Sequence, residues 1–430
     1  MIDNKVQVIW HVFIIIALVF MFFQHDFLLS KRYMMEGLST PEEIASSTRE
    51  GSLQRQIALM SLGGFAIISF WGRRPDSLRI NGALGWVIIF YVVWSCLSIC
   101  WADDVGLTFR RVFTFFILAG AGLALAERLS WRQIFLLVIF CGLFYLTMGL
   151  GAEIALGTFR PWDSEYRFSG TIDPNVGSWG LGIMVIAAAF FAGHADRGRS
   201  FFLTIMLVAL LALLLNKTRT SFGALLIALI IYGALNASLL MRVMSAALLS
   251  LLLYGAYFLL DDRRLTQAWK LLLMGRDDST ALTLTGRVPV WQECLPFIGK
   301  RPFTGYGYNA FWTERHVFDI SDKADWGIAG VPGALNGYLD LVLGVGLVGL
   351  AAYLLVVILA FKESIVAYYR TGDPIFFDVI AMLSFYTAVS FLESVPTHNG
   401  FATFILFTLL AKLAFCHQGQ EVIDPAYEGS

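Results

Sequence analysis

The sequence predicts an all-α polytopic membrane protein, with about twelve transmembrane helices and one large extramembrane loop that carries short helices. Three observations predict it. Mean hydropathy is +0.69, with 57% of residues hydrophobic and 15% charged. Soluble domains average about 25% charged residues, so the apolar surplus has to be covered by lipid. Apolar runs long enough to cross ~30 Å of hydrocarbon, which takes about 17–25 residues, recur along the whole chain. Finally, arginines, glycines and aromatics concentrate in one polar segment, 261–336.

The runs fall at 6–23, 56–72, 84–100, 110–126, 133–151, 176–193, 201–215, 221–236, 240–260, 337–360, 376–394 and 399–416. They divide the chain into helices one to nine (1–260), the large loop (261–336), and helices ten to twelve with a C-terminal tail (337–430). The pair 201–215 and 221–236 is short, and a tight turn separates its members. The first run is expected to stay as an anchor, because Gln24-His25-Asp26-Phe27 follows it without a small-x-small cleavage site. With twelve spans both termini share one face. Lys and Arg slightly favour that face as the cytoplasmic one, the long loop being excluded from the count.

Bulk properties exclude several classes. A net charge of −1 gives no general attraction to nucleic acid. The five cysteines form no disulfide framework or CxxC metal site. Cys96, Cys100, Cys141 and Cys416 lie in or beside apolar runs, and Cys294 alone lies in the loop. No GxxxxGK[ST] loop, HExxH helix or Gly-rich dinucleotide fingerprint occurs, which argues against an ATPase, a zinc protease or a redox enzyme.

Positive charge on the outer side calls for a reason of its own. Arg110, Arg111, Lys217 and Arg219 sit at helix ends there, where orientation gains nothing from them. An anionic ligand at the outer leaflet would account for them together, whereas any one alone could snorkel to lipid phosphate. The turn Asn216-Lys217-Thr218-Arg219-Thr220-Ser221 puts two cations beside lipid, and an Arg at mid-bilayer costs ~2.5–3.5 kcal/mol. Charge-assisted hydrogen bonds to a diphosphate, each worth ~1.5–3 kcal/mol, would offset that cost. Thr220 and Ser221 also suit helix capping.

In the loop, Thr285-Gly286-Arg287 precedes a short amphipathic helix whose Trp291, Cys294, Leu295 and Ile298 make one apolar stripe. Lys300-Arg301-Pro302 ends it. A helical start aims Arg287 along the buried face, where a guanidinium requires an anionic partner. Gly305-Tyr306-Gly307-Tyr308-Asn309-Ala310-Phe311-Trp312 reads as a shaped loop, and Tyr306 is a candidate for stacking on a sugar. Arg167-Phe168-Ser169-Gly170-Thr171-Ile172-Asp173-Pro174-Asn175 leads into the sixth run. It adds Arg167 to the outward charge, with Asp173 and Asn175 as caps or ligands. His316 and His398 are the two histidines on the outer side, and either could serve as a general base near neutral pH. Eight outer carboxylates (Asp103, Asp104, Glu153, Asp163, Glu165, Glu314, Asp319 and Glu393) are not separated by spacing alone.

At these residues the chain resembles the O-antigen ligase and Wzy-type polysaccharide polymerase superfamily, closest to its exopolysaccharide polymerase branch. The matching pieces are Lys217-Thr218-Arg219-Thr220, the loop from Thr285 to Trp312, and Asn336-Gly337-Tyr338-Leu339-Asp340 running on to Leu350, with the Arg167–Asn175 segment alongside. The resemblance implies a GT-C-like, metal-independent glycosyltransferase in the bacterial inner membrane that needs no cofactor and works at the periplasmic face. Its donor would be an undecaprenyl-diphosphate-linked oligosaccharide and its acceptor a glycan, with a chain-length regulator as an expected partner. By the same resemblance Arg219 and Arg287 hold the diphosphate, and Asn336 and Tyr338 join the substrate-binding set. Ligases of the family carry a His immediately before the Asn of the loop-closing motif. Leu335 stands there in this chain, which favours a polymerase and leaves the base unassigned. The competing readings are a ligase acting on a lipid or protein acceptor, and a flippase or transporter of the same lipid-linked sugar. The latter would place charges along a path through the bilayer.

Overall fold

A computed structural model describes residues 53–71, 78–163, 166–194, 198–236, 287–324, 331 and 333–416, and no strand occurs among them. Twelve α-helices are present in this range. They are α1 (Leu53–Trp71), α2 (Gly82–Leu97), α3 (Val105–Arg128), α4 (Trp131–Ala155), α5 (Pro174–His194), α6 (Arg199–Asn216), α7 (Arg219–Asn236), α8 (Arg287–Lys300), α9 (Glu314–Lys323), α10 (Gly337–Thr371), α11 (Ile375–Val389) and α12 (Phe401–Phe415). Six are long and apolar enough to cross a membrane: α2 with its 3-10 extension to Trp101, then α3, α4, α5, α6 and α10. Shorter apolar helices α1, α7, α11 and α12 occupy four further runs expected from the sequence. The runs at 6–23 and 240–260, loop residues 261–286 and the tail from 417 lie outside the described residues.

Helix boundaries follow from local chemistry. Asp104 accepts the Leu107 amide at 2.8 Å and starts α3. Ser130 and Gln133 form a reciprocal capping box at α4. Asp173 accepts the Asn175 and Val176 amides at 2.8 and 3.4 Å and starts α5, the capping role among its two expected ones. Lys217, in the left-handed region at φ 53°, closes α6, and α7 begins two residues later. Helix α5 is apolar on every side, the pattern of a helix with no solvent face. It sits at the centre, packed by α4, α6, α7, α11 and α12. At the end of the bundle remote from the loop, Lys412 is buried but satisfied. Its Nζ donates to the Ala126 and Leu129 carbonyls at 3.0 and 2.7 Å, groups that the end of α3 leaves open.

The feature that positions the loop is a break inside α10. Gly346 has φ 72° and ψ −176°, outside helical space, a combination essentially restricted to glycine. The break frees backbone groups that cannot be left bare beside lipid. The segment 301–309 takes them up. Tyr306 N–H donates to the Leu343 carbonyl at 2.8 Å, Gly307 N–H donates to Gly344 at 2.9 Å, and Leu347 N–H donates to Pro302 at 2.8 Å. The Trp94 indole donates to the Val345 carbonyl at 2.9 Å. The glycines of the Gly305-Tyr306-Gly307 segment therefore serve backbone approach. A Cβ on Gly305 would lie 2.6 Å from the Gly344 oxygen.

Asp340, one turn into α10 and 7% exposed, ties the same region together. Its Oδ1 accepts from the Trp312 indole at 2.8 Å and the Ala334 amide at 3.1 Å, and its Oδ2 accepts from the Ser394 hydroxyl. Asp340→Ala leaves three donors short of an acceptor at once. The expected cost is on the order of 3 kcal/mol. It should appear as a lower unfolding midpoint of the detergent-solubilised protein and faster proteolysis within 301–336.

Candidate functional site

Helices α6 and α7 turn at Lys217-Thr218 at the end of the bundle that also holds 166–173, the described loop residues 301–313 and the 390–400 hairpin. Three segments converge there. Arg167 reaches the turn with its Nε donating to the Asn216 carbonyl at 2.8 Å and its Nη2 donating to the Asn175 and Thr218 side-chain oxygens at 2.7 and 3.0 Å. Asn216 is fully buried and donates its amide to the Phe168 and Pro174 carbonyls at 3.0 and 2.9 Å. Thr218 donates to the Asn216 oxygen. The turn that carries Arg219 is thus fixed to the segment opening α5.

One residue farther on, Thr220 donates its hydroxyl to Glu393 Oε1 at 3.1 Å, and Arg287 Nη2 pairs with the same oxygen at 2.7 Å. The Glu393 side chain is 3% exposed and that of Arg287 is 13% exposed. Arg287 Nε is buried and meets no acceptor among the described residues. Burial pushes the Glu393 carboxyl up to about 7, against the pull of Arg287, the Thr220 hydroxyl and Arg167, while the Asp173 charge pushes it further up. The anionic partner that the sequence requires for Arg287 is therefore a carboxylate of the protein. Spacing alone could not distinguish Glu393 from seven other outer carboxylates.

The loop-closing motif holds this carboxylate in place. Asn336 accepts the Tyr338 and Leu339 amides, each at 3.0 Å, and caps α10. Gly337 N–H donates to the Ser390 and Glu393 carbonyls at 2.8 and 3.0 Å. A Cβ at Gly337 would lie 2.5 Å from the Pro396 ring, so only glycine lets the hairpin come this close. The Tyr338 hydroxyl donates to the Thr387 carbonyl at 2.9 Å at the end of α11. Leu335 sits at φ 51°, a left-handed conformation that costs a branched side chain roughly 1–2 kcal/mol.

Other expected site residues lie elsewhere. Arg110 is exposed and Arg111 half-buried on α3, Arg111 close enough to the Tyr308 hydroxyl to act on it electrostatically. Tyr306 is buried in the loop core and its hydroxyl donates to the Phe297 carbonyl at 2.9 Å. His316 stacks on Phe311 with ring centres 4.4 Å apart, its Nδ1 2.7 Å from the Phe311 carbonyl oxygen. His398 lies on the Glu393 hairpin, edge-on to Trp179 of α5 at 5.2 Å. Helix α8 ends at Lys300 as expected, but its buried face runs through Val290 and Cys294, and Leu295 is 59% exposed. Periodicity could not reveal that the covering surface is formed by Tyr306, Phe311 and Ile320 of the loop with Leu343 of α10. Burial there pushes the Cys294 thiol up, with the Asp340 and Glu293 charges adding to it. Among the described residues no group of three or more His, Cys, Asp or Glu is arranged to hold a metal ion.

A family model described as O-antigen ligase matches residues 203–354. Over that span the chain is similar to O-antigen ligases. The matched span runs from α6 into α10 and takes in Arg219, Arg287 and the whole of Asn336–Asp340, so the superfamily expected from the sequence holds. Arg167 and Glu393 fall outside it. Among curated proteins, none matches the chain. Its apolar helices are those of a multi-helix membrane protein, similar over the matched span to O-antigen ligases.

Proposed function

We propose that the protein polymerises undecaprenyl-diphosphate-linked oligosaccharide repeat units into a surface or exopolysaccharide at the periplasmic face of the inner membrane. The observation that carries this reading is the buried Arg287, held at 2.7 Å from Glu393 beside the turn that bears Lys217 and Arg219. A guanidinium whose Nε meets no acceptor among the described residues, paired with a carboxylate that Thr220 reaches one residue past Arg219, suits a diphosphate at a lipid headgroup. Arg219 and Arg287 neutralise the leaving diphosphate, and Lys217 adds a point charge. Arg167, Tyr306, Asn336 and Tyr338 serve by holding the site, since their polar groups are engaged by neighbouring side chains and backbone.

Leu335 favours polymerisation over ligation, because an apolar side chain cannot take a proton from an acceptor hydroxyl. Clustering of the cations at one face favours transfer over transport through the bilayer. The test is gel analysis of lipid-linked and surface glycans from a deletion strain with and without the intact gene. Single repeat units in the deletion strain, restored to long chains on complementation, are expected. Long polymer stranded on undecaprenyl diphosphate would make the protein a ligase, and unaltered glycans throughout would remove it from the assembly of that polymer.

A further inference from the structure

Glu393 is held by three elements, α7, α8 and the start of α10. Its backbone is clamped by the Gly337 amide, the neighbouring Ser394 is fixed to Asp340, and its side chain receives Arg287 from α8 and Thr220 from α7. An ordinary structural ion pair needs no such frame. Removing a carboxylate almost completely from water is costly unless its partners are in place, and here the arginine paired with it at 2.7 Å is the one read above as an anion binder. The pair is therefore an exchangeable one. A diphosphate offers Arg287 more charge than a carboxylate does, and a guanidinium drawn toward it uncovers Oε1.

We propose that Glu393 accepts the proton of the incoming sugar hydroxyl once the donor diphosphate has drawn Arg287 away from it. This rests on the glycosyl-transfer reading above. The acceptor oxygen bonds to the anomeric carbon as its proton passes to Glu393. The bond from that carbon to the diphosphate oxygen breaks, and its electron pair leaves with the lipid diphosphate, stabilised by Arg287 and Arg219. The Glu393 carboxyl then gives its proton to water.

The groups acting on Glu393 fit this role. Burial and Asp173 raise its carboxyl to about 7, while Arg287, Thr220 and Arg167 lower it, and a base works best near the operating pH. Loss of Arg287 to the donor removes the largest stabiliser of the carboxylate and makes it more basic at the moment of transfer. A base must be deprotonated to act, so the rate falls as pH drops through its pKa. The acid limb of kcat should therefore lie at higher pH than the acid limb of kcat/KM.

The test is full-length protein in proteoliposomes, supplied with undecaprenyl-diphosphate-linked oligosaccharide, with donor binding and turnover measured separately. Glu393→Gln is expected to bind donor at least as tightly as the wild type, since Arg287 is released, and to lose about 10²–10⁴-fold in kcat together with the acid limb. Glu393→Asp keeps the charge against Arg287 with a shorter reach. A well-folded Asp variant with reduced kcat and a displaced acid limb separates proton transfer from packing. Glu393→Gln within about fivefold of wild-type kcat, acid limb intact, would overturn the proposal and leave the glycosyl-transfer reading standing. A wild type that neither binds nor consumes the donor would overturn both.

Discussion

Arg287→Ala should abolish glycan transfer, by at least about 10³-fold on the scale set by loss of a transition-state charge partner, while the protein still accumulates in the membrane. The two halves of this outcome have separate causes. Activity is lost because alanine offers the diphosphate neither charge nor hydrogen bonds. Removing one member of a buried ion pair commonly costs about 3–5 kcal/mol. Here much of that cost is avoided, because the surviving carboxyl can simply take a proton. Burial already raises Glu393 to about 7 with the arginine present, and without that charge the carboxyl takes a proton more readily. Arg287→Lys keeps the charge but not the fork, so it should fall between alanine and wild type. Immunodetection in membranes beside a glycan gel checks both halves, and normal polymer from Arg287→Ala would refute the diphosphate site.

Gly346→Ala should be the most damaging substitution for stability. A Cβ there would lie 2.1 Å from the Phe303 carbonyl oxygen, and the backbone at φ 72°, ψ −176° is one that alanine resists. Relief requires the 301–309 segment to lift away, which breaks the bonds from Tyr306, Gly307 and Leu347. The expected loss exceeds about 4 kcal/mol, combining backbone strain with at least two unmade hydrogen bonds. It would show as protein missing from the membrane, or as a loop cut readily by protease. Gly151→Ala is the control. It lies in α4 with nothing within 4 Å of a new Cβ, and it should be neutral or stabilising by up to about 1 kcal/mol.

Hydropathy made the apolar helices legible, because a lipid-facing run needs only length and composition. The charges of the Lys217-Thr218-Arg219 turn and of Arg287 stand out in the sequence for a related reason, since charge is expensive at those places and calls for a partner. Glu393 was not legible. Its distinction comes from α7, α8 and the start of α10 closing on one hairpin, and none of these is near it in sequence. Residues 305–307 were misleading in the other direction. Glycine beside tyrosine suits a sugar platform, but the same composition also suits a backbone docking onto a broken helix. The signal for the latter was Gly344-Val345-Gly346 inside an otherwise strongly apolar run, read as part of an uninterrupted span.

The break in α10 also decides which part of this molecule can be exchanged with a relative. An engineer seeking a new glycan specificity would naturally cut at residues 261 and 336, the loop bounds expected from hydropathy. That graft would bring a foreign 301–309 backbone against a host helix whose open carbonyls and amide were shaped for another sequence. The transplantable cassette instead ends after Leu347, and it travels with a matching 390–396 hairpin, whose partner Gly337 lies inside the cassette.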